Sequence, residues 1–209
     1  TILLTMSNLA ATGLLVDITD DATVTLLDDD VPTVTIANIS GAENGGNITV
    51  TATLDIAVAG GFMVDVSTTD GSATAGIDYT AITSQTLSFT GTMGEMQTFT
   101  LSPTGDNDLE IDESVSISMS NLTGTAISVD ITDQATITIS NDDAATVTIA
   151  DVSANENSGD ITVTATLDQA VQGGFSLLVN TANGTATSGS DYTAIADQTL
   201  TFAGTTGEI

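Results

Sequence analysis

The chain contains no Lys, Arg, His or Cys. Nothing internal can therefore pair with its 28 Asp and Glu residues, and the formal net charge is −28 over 209 residues. A surface whose only charges are carboxylates repels nucleic-acid phosphates and anionic lipid headgroups, so no nucleic-acid partner and no membrane surface is expected. Without His, Cys or Lys, the Ser and Thr hydroxyls lack an activating base. Two carboxylates can in principle hydrolyse a glycoside, but aromatic residues are only 3% of the chain and offer little platform for a sugar ring. The sequence reads as a non-enzyme. The absence of Cys excludes a disulfide framework. Long hydrophobic runs are missing too: Ile56 to Val64 is broken by Gly60-Gly61 and is about half the length that a membrane span needs. The first residues, T-I-L-L-T-M-S-N-L, look like the middle of a strand rather than the start of a gene product, and no signal peptide is visible.

What is present is 41% hydrophobic residues, too many for a disordered acidic tail. They are arranged in a repeat. V-T-I-A-N-I-S-G-A-E-N-G-G-N-I-T-V-T-A-T-L-D from Val34 returns as V-T-I-A-D-V-S-A-N-E-N-S-G-D-I-T-V-T-A-T-L-D from Val147, a shift of 113 residues that runs without a gap to Glu95 and Glu208. The same shift relates V-D-I-T-D at Val16 to V-D-I-T-D at Val129, and L-L-D-D-D at Leu26 to I-S-N-D-D at Ile139. The expected organisation is the last strands of one repeat over 1–30, a complete repeat over 31–143, and the N-terminal part of a third over 144–209. About 30 residues of β-pattern cannot bury a core alone. A longer tandem array supplies the missing strands most simply; copies completing one another head to tail in a filament is the other arrangement.

Period-two alternation dominates the complete repeat, and no window shows helical period. In I-T-V-T-A-T-L, Ile48, Val50, Ala52 and Leu54 share one face and three threonines the other. Runs at Val34 to Ile39, Ile48 to Leu54, Phe62 to Val66, Thr86 to Thr90, Gln97 to Leu101, Ser114 to Met119 and Ala135 to Ile139 predict an all-β fold. Seven strands in this length suit an immunoglobulin-like β-sandwich of antiparallel sheets, repeated in tandem.

The acids are unevenly spread. Of fifteen in the period Val34 to Thr146, nine fall in four segments: Glu43, Asp78, the run Asp106, Asp108, Glu110, Asp112 and Glu113, and Asp142 with Asp143. Carboxylates about 6 Å apart at an effective dielectric near 20 repel by roughly 3 kcal/mol per pair, so an external cation is expected to neutralise them. Calcium takes six to eight oxygens from carboxylates, carbonyls and water, and the loops after the first and third strands, before the sixth and after the seventh can meet at one pole of a sandwich. Asp55, Asp65, Glu95 and Asp130 read as ordinary solvated acids.

S-T-T-D-G-S-A-T-A-G-I-D-Y-T, D-N-D-L-E-I-D-E-S-V-S-I-S-M-S-N-L and the closing A-T-I-T-I-S-N-D-D together resemble a Calx-beta domain. That family is named for sodium/calcium exchangers, where paired modules sense calcium, and recurs in tandem in large extracellular and bacterial surface proteins. The resemblance implies calcium ligands at Glu43, at Asp78, at Asp106, Asp108, Glu110, Asp112 and Glu113, and at Asn141, Asp142 and Asp143. Asn107 and Asn141 stand where the family often has Asp, and an amide oxygen brings less charge. By the internal shift, Glu156 and Asp191 carry half a site in the third repeat, and Asp28, Asp29 and Asp30 the terminal run of the first.

Two functions fit. One is a structural repeat of an extracellular or cell-surface adhesin, filament or stalk, with calcium ions stiffening the junctions between neighbouring repeats. The alternative is a calcium-sensing module coupled to a partner domain. Near-identical repeats favour a spacer, because a sensor usually differentiates its copies. The absence of Lys and Arg also removes every trypsin-type cleavage site from an exposed polymer.

Overall fold

The computed structural model describes residues 1–10, 13 and 15–209. Ala11, Thr12 and Leu14, inside the segment expected to end the first repeat, lie outside the described residues. Two compact units are present, Thr1–Val31 and Pro32–Ile209. Among the described residues no helix is long and apolar enough to cross a membrane.

The first unit is a hairpin of β1 (Ile2–Thr5) and β2 (Asp21–Val24), antiparallel, with Ile2 opposite Val24 and Thr5 opposite Asp21. All eight residues of the two strands are exposed.

The second unit begins with the complete repeat. Its strands are β3 (Val34–Ile36), β4 (Ile39–Ala42), β5 (Ile48–Leu54), β6 (Phe62–Asp70), β7 (Tyr79–Thr80), β8 (Gln85–Phe89), β9 (Met96–Pro103), β10 (Glu113–Thr123) and β11 (Gln134–Ser140). They form a four-stranded sheet, order β3-β5-β9-β7, and a five-stranded sheet, order β4-β11-β10-β6-β8. Each of the seven alternating runs contains strand, and six of them contribute one strand apiece. The alternation turns Val50, Leu54, Phe99 and Leu101 inward from one sheet and Val64, Val66, Ile117 and Ile137 from the other, all buried in one cluster. Full burial of such side chains contributes about 1.5–3 kcal/mol each.

Two features depart from a seven-stranded antiparallel sandwich. The pair Tyr79–Thr80 adds a short strand against Pro103 and Ser102. The first run divides between the sheets: β3 pairs antiparallel with β5, whereas β4 crosses over and pairs parallel with β11, Ile39 beside Ile137 through Ala42 beside Ser140. The crossing leaves backbone donors without ladder partners, and side chains supply them. Asp133 Oδ2 accepts from the Ile36 amide at 2.8 Å, and Asn38 Oδ1 accepts from the Thr136 amide at 2.8 Å.

The acids read as ordinary solvated ones, Asp55 exposed and Asp65, Glu95 and Asp130 half-buried, are also tied down. Asp55 accepts from the Thr33 amide, Asp65 from Thr86 Oγ1 and Asn121 Nδ2, and Asp130 from the Thr132 amide and hydroxyl. Glu95 accepts from the amides of Thr90, Gly91 and Thr92 and from the Thr90 hydroxyl. Asp55, Glu95 and Asp130 each replace water at a backbone donor, and Asp65 joins side chains of β8 and β10.

After Asp143 the chain continues as β12 (Val147–Ile149), β13 (Ala165–Leu167), β14 (Phe175–Val179) and β15 (Gln198–Phe202). Val147 faces Leu167 as Val34 faces Leu54, and Phe175 stacks on Phe202 as Phe62 stacks on Phe89. Ile149, Ile161 and Val163 are more than half exposed.

Candidate metal centre

Strand register brings the four acidic segments together. Because β4 runs parallel to β11 with Ala42 beside Ser140, the residues that follow each strand, Glu43 and Asn141 to Asp143, leave from the same end. The antiparallel pairing of β10 with β11 sets Glu113 opposite Ile139, which carries the 106–113 loop to that end. The short strand β7 sets Tyr79 opposite Pro103, and the Thr104 amide donates to the Asp78 carbonyl at 2.9 Å, which holds Asp78 against the start of the loop.

Two carboxylate groups result. Glu43, Asp106 and Asp143 offer oxygens that lie within 4.8 Å of one another, and so do Asp78, Glu110 and Glu113. Glu43 opens a one-turn 3-10 helix, Glu43–Gly45, and is the only buried charged residue of the described chain, 8% exposed. Its Oε1 is buried with no hydrogen-bond partner. Burial, then the neighbouring carboxylates of Asp143, Asp106 and Glu110, push the Glu43 carboxyl up to about 7. Burial and then Asp106, Asp78 and Asp108 raise Glu110; burial and then Asp78 and Glu110 raise Glu113. No Lys, Arg or His is present to offset these shifts. A buried carboxylate with one unpartnered oxygen, grouped with other carboxylates, is a donor set that suits a hard divalent cation.

The remaining candidates take other positions. Asp108 donates its amide to Asp106 Oδ1 at 2.8 Å, closing a tight turn. Asn141 works as a tether: its Oδ1 accepts from the Glu110 amide, its Nδ2 donates to the Asp143 carbonyl, and its own amide donates to Asp112 Oδ1. Asp142 meets Asn44, whose Nδ2 lies within hydrogen-bond distance of Asp142 Oδ1 at 3.1 Å, the Asp106 carbonyl at 3.2 Å and Asp143 Oδ2 at 3.3 Å. Asn44 was not among the residues singled out from the sequence. An uncharged residue gives no signal in a count of acids, although the invariance of Glu-Asn at 43–44 and 156–157 across the internal repeat marks it. Gly105 belongs with it, since a Cβ there would collide with the Asn44 side-chain amide.

In the third repeat Asp191 keeps the turn made by Asp78, accepting from the Thr187 amide as Asp78 does from Thr74. Glu156 is exposed, and neither it nor Asp191 belongs to an acidic triad among the described residues. Asp28, Asp29 and Asp30 are exposed in the first unit, where the Asp30 amide donates to Asp28 Oδ1 at 3.3 Å.

A family model described as the Calx-beta domain matches residues 27–143 and again 140–208. The chain belongs to the Calx-beta family. No curated protein is significantly similar to it in sequence. Among solved structures, an apo-form Calx CBD1 domain is 24% identical with a TM-score of 0.48, over 55% of this chain and all of that one. The calcium binding domain CBD12 of CALX1.1 is 26% identical with a TM-score of 0.45, over 53% of this chain and 44% of that one. A Calx CBD2 domain is 12% identical with a TM-score of 0.43, over 52% of this chain and 86% of that one. The first Calx-beta match closes on Asp143 and the second opens on Ser140, so the Asn141 to Asp143 run lies in both.

Proposed function

We propose that the chain is a calcium-binding structural repeat of an extracellular adhesin, filament or stalk, in which ions near the ends of repeats stiffen the array. The observation that carries this reading is Glu43, a buried carboxylate that is grouped with Asp106 and Asp143 and whose Oε1 has no donor. Glu43, Asp106 and Asp143 would hold one ion, and Asp78, Glu110 and Glu113 a second. Bound calcium supplies positive charge and oxygen coordination that neutralise the carboxylates. The chain's own residues do the rest: Asn44 and Asn141 fix the carboxylates in place, and Asp143 joins the group to the segment that leads into β12. Membership of the Calx-beta family and the printed description of CBD12 as a calcium binding domain support the choice of ion. The near-identity of the repeats and the absence of Lys and Arg support a repeated, exposed spacer.

An ion that binds only the folded state stabilises it by about 2.7 kcal/mol per site at a free concentration a hundredfold above its dissociation constant. Extracellular calcium modules bind at about 0.1–1 mM. The test is thermal melting and small-angle scattering of the whole chain, with chelator and then with millimolar calcium. Calcium is expected to raise the melting temperature and narrow the range of inter-repeat angles. Curves that are identical in chelator and calcium would overturn the reading.

A further inference from the structure

Two Asn-Gly pairs occur in the chain, Asn44-Gly45 and Asn183-Gly184. Glycine leaves its own nitrogen unshielded, so the side-chain amide of an Asn before it is open to attack by that nitrogen. The fold treats the two pairs oppositely. Asn183 lies exposed between β14 and β15, and its Oδ1 accepts two bonds, from the Ser188 amide at 2.9 Å and from the Tyr192 hydroxyl at 2.8 Å. The Ser188 amide can only donate, which fixes which side-chain atom is the oxygen. Gly184 stands in open space. Asn44 is held by its other end: Nδ2 faces the Asp106 carbonyl and the carboxylates of Asp142 and Asp143, and the backbone is wound into the Glu43–Gly45 turn.

One period earlier, Asp70 occupies the position of Asn183, and its Oδ1 accepts from the Ala75 amide at 3.0 Å and the Tyr79 hydroxyl at 2.7 Å. The same loop holds a carboxylate in the complete repeat and an amide in the third. We propose that Asn183 is a site of spontaneous deamidation, at which water converts this amide into the carboxylate that the complete repeat encodes. The Gly184 nitrogen, its proton lost to hydroxide, bonds to Cγ of Asn183, and negative charge gathers on Oδ1. The Cγ–Nδ2 bond then breaks, and Nδ2 leaves as ammonia with a proton from water. A cyclic imide remains, which water opens at Cγ to give Asp or at the backbone carbonyl to give isoaspartate. The net change is one water consumed and one ammonia released. Donors aimed at an oxygen on which charge develops form an oxyanion hole, and Ser188 and Tyr192 supply two. They also polarise the Cγ carbonyl of the imide, the one whose hydrolysis gives Asp. At Asn44 the same charge would gather beside carboxylates, and the leaving Nδ2 would first have to give up its acceptors.

The test incubates the whole chain at mildly alkaline pH, folded and in urea. A Glu-specific protease then separates the two pairs, since cleavage after Glu43, Glu95, Glu156 and Glu208 puts Asn44 in the peptide 44–95 and Asn183 in 157–208. Mass spectrometry reads the exchange of NH2 for OH, and fragmentation locates it. In the folded chain Asn183 is expected to convert several-fold faster than Asn44, and to give a higher ratio of Asp to isoaspartate than in urea. Tyr192→Phe removes one donor and is expected to slow conversion at Asn183 by about two- to tenfold, the worth of one neutral hydrogen bond, with no effect in urea. Asn44 converting as fast as Asn183 in the folded chain overturns the proposal. So does a folded Tyr192→Phe chain that converts at the wild-type rate or faster.

Discussion

Glu43 concentrates the electrostatic problem of this chain in one side chain. A carboxylate that is 8% exposed and lacks a donor at Oε1 is costly unless a proton or a cation joins it. Glu43→Gln keeps the shape and removes the charge. The variant is expected to melt at or above the wild-type temperature in chelator and to lose most of the rise that calcium gives the wild type, with paired melting curves as the measurement. The neighbouring tether makes a separate prediction. Gly105→Ala drives a methyl group into the Asn44 amide, and overpacking of this kind costs about 1–3 kcal/mol. Denaturant unfolding of the whole chain measures it, and calcium uptake should weaken as well, because Asn44 holds Asp142 and Asp143. Charge was the legible part of the site. The clustering of acids in four segments stood out in a chain with no counter-charge, whereas Asn44, Gly105 and the tethering use of Asn141 depend on close approaches that only packing creates.

Among the elements, the inward faces of β5, β9, β10 and β11 were legible because alternation with period two leaves one solution for which side is buried. The division of the first run into β3 and β4 was not. Val34 to Ile39 alternates as one strand would, and the crossover is decided by Asp133 and Asn38, distant in sequence from the donors they satisfy. That crossover matters to the site, since the parallel pairing of β4 with β11 is what delivers Glu43 to Asp143. The turn between β8 and β9 carries a pH prediction. Burial pushes Glu95 up, but the amides of Thr90, Thr92 and Gly91 and the Thr90 hydroxyl outweigh it and hold the carboxyl down at about 2. A folded value below the unfolded one, near 4.3, stabilises the protein fully above that range, and the contribution is lost as pH falls toward 2. Glu95→Gln is therefore expected to lose about 2 kcal/mol at pH 7, the scale of hydrogen bonds to a charged group, and to approach wild-type stability at the acid end. Urea unfolding as a function of pH measures the convergence.

For the whole molecule, a formal charge of −28 with no Lys or Arg means self-repulsion everywhere, not only at the loops. Monovalent salt shortens the screening length to about 8 Å at physiological ionic strength. In chelator the melting temperature is expected to climb with sodium chloride alone. Millimolar calcium added at constant high ionic strength should then produce a further rise that magnesium does not reproduce, because calcium accepts the irregular oxygen sets of such loops more readily than an ion that demands a near-ideal octahedron. The same scale explains the hairpin of β1 and β2. Its register, Ile2 opposite Val24, is the register of Val115 opposite Ile137 moved by one repeat. The pairing is thus encoded within the hairpin, although its apolar face remains exposed.

The parallel contact of β4 with β11 also bears on how a repeat carries load. Tension along the chain pulls β4 back toward its start and β11 onward toward its end, so two parallel strands are drawn in opposite directions along their length. The paired positions from Ile39 beside Ile137 to Ala42 beside Ser140 are then stretched together in shear, whereas an antiparallel terminal pair would unzip one rung at a time. Under such a load the complete repeat would be clamped between its entering and leaving strands, with the acidic residues seated where the clamp ends.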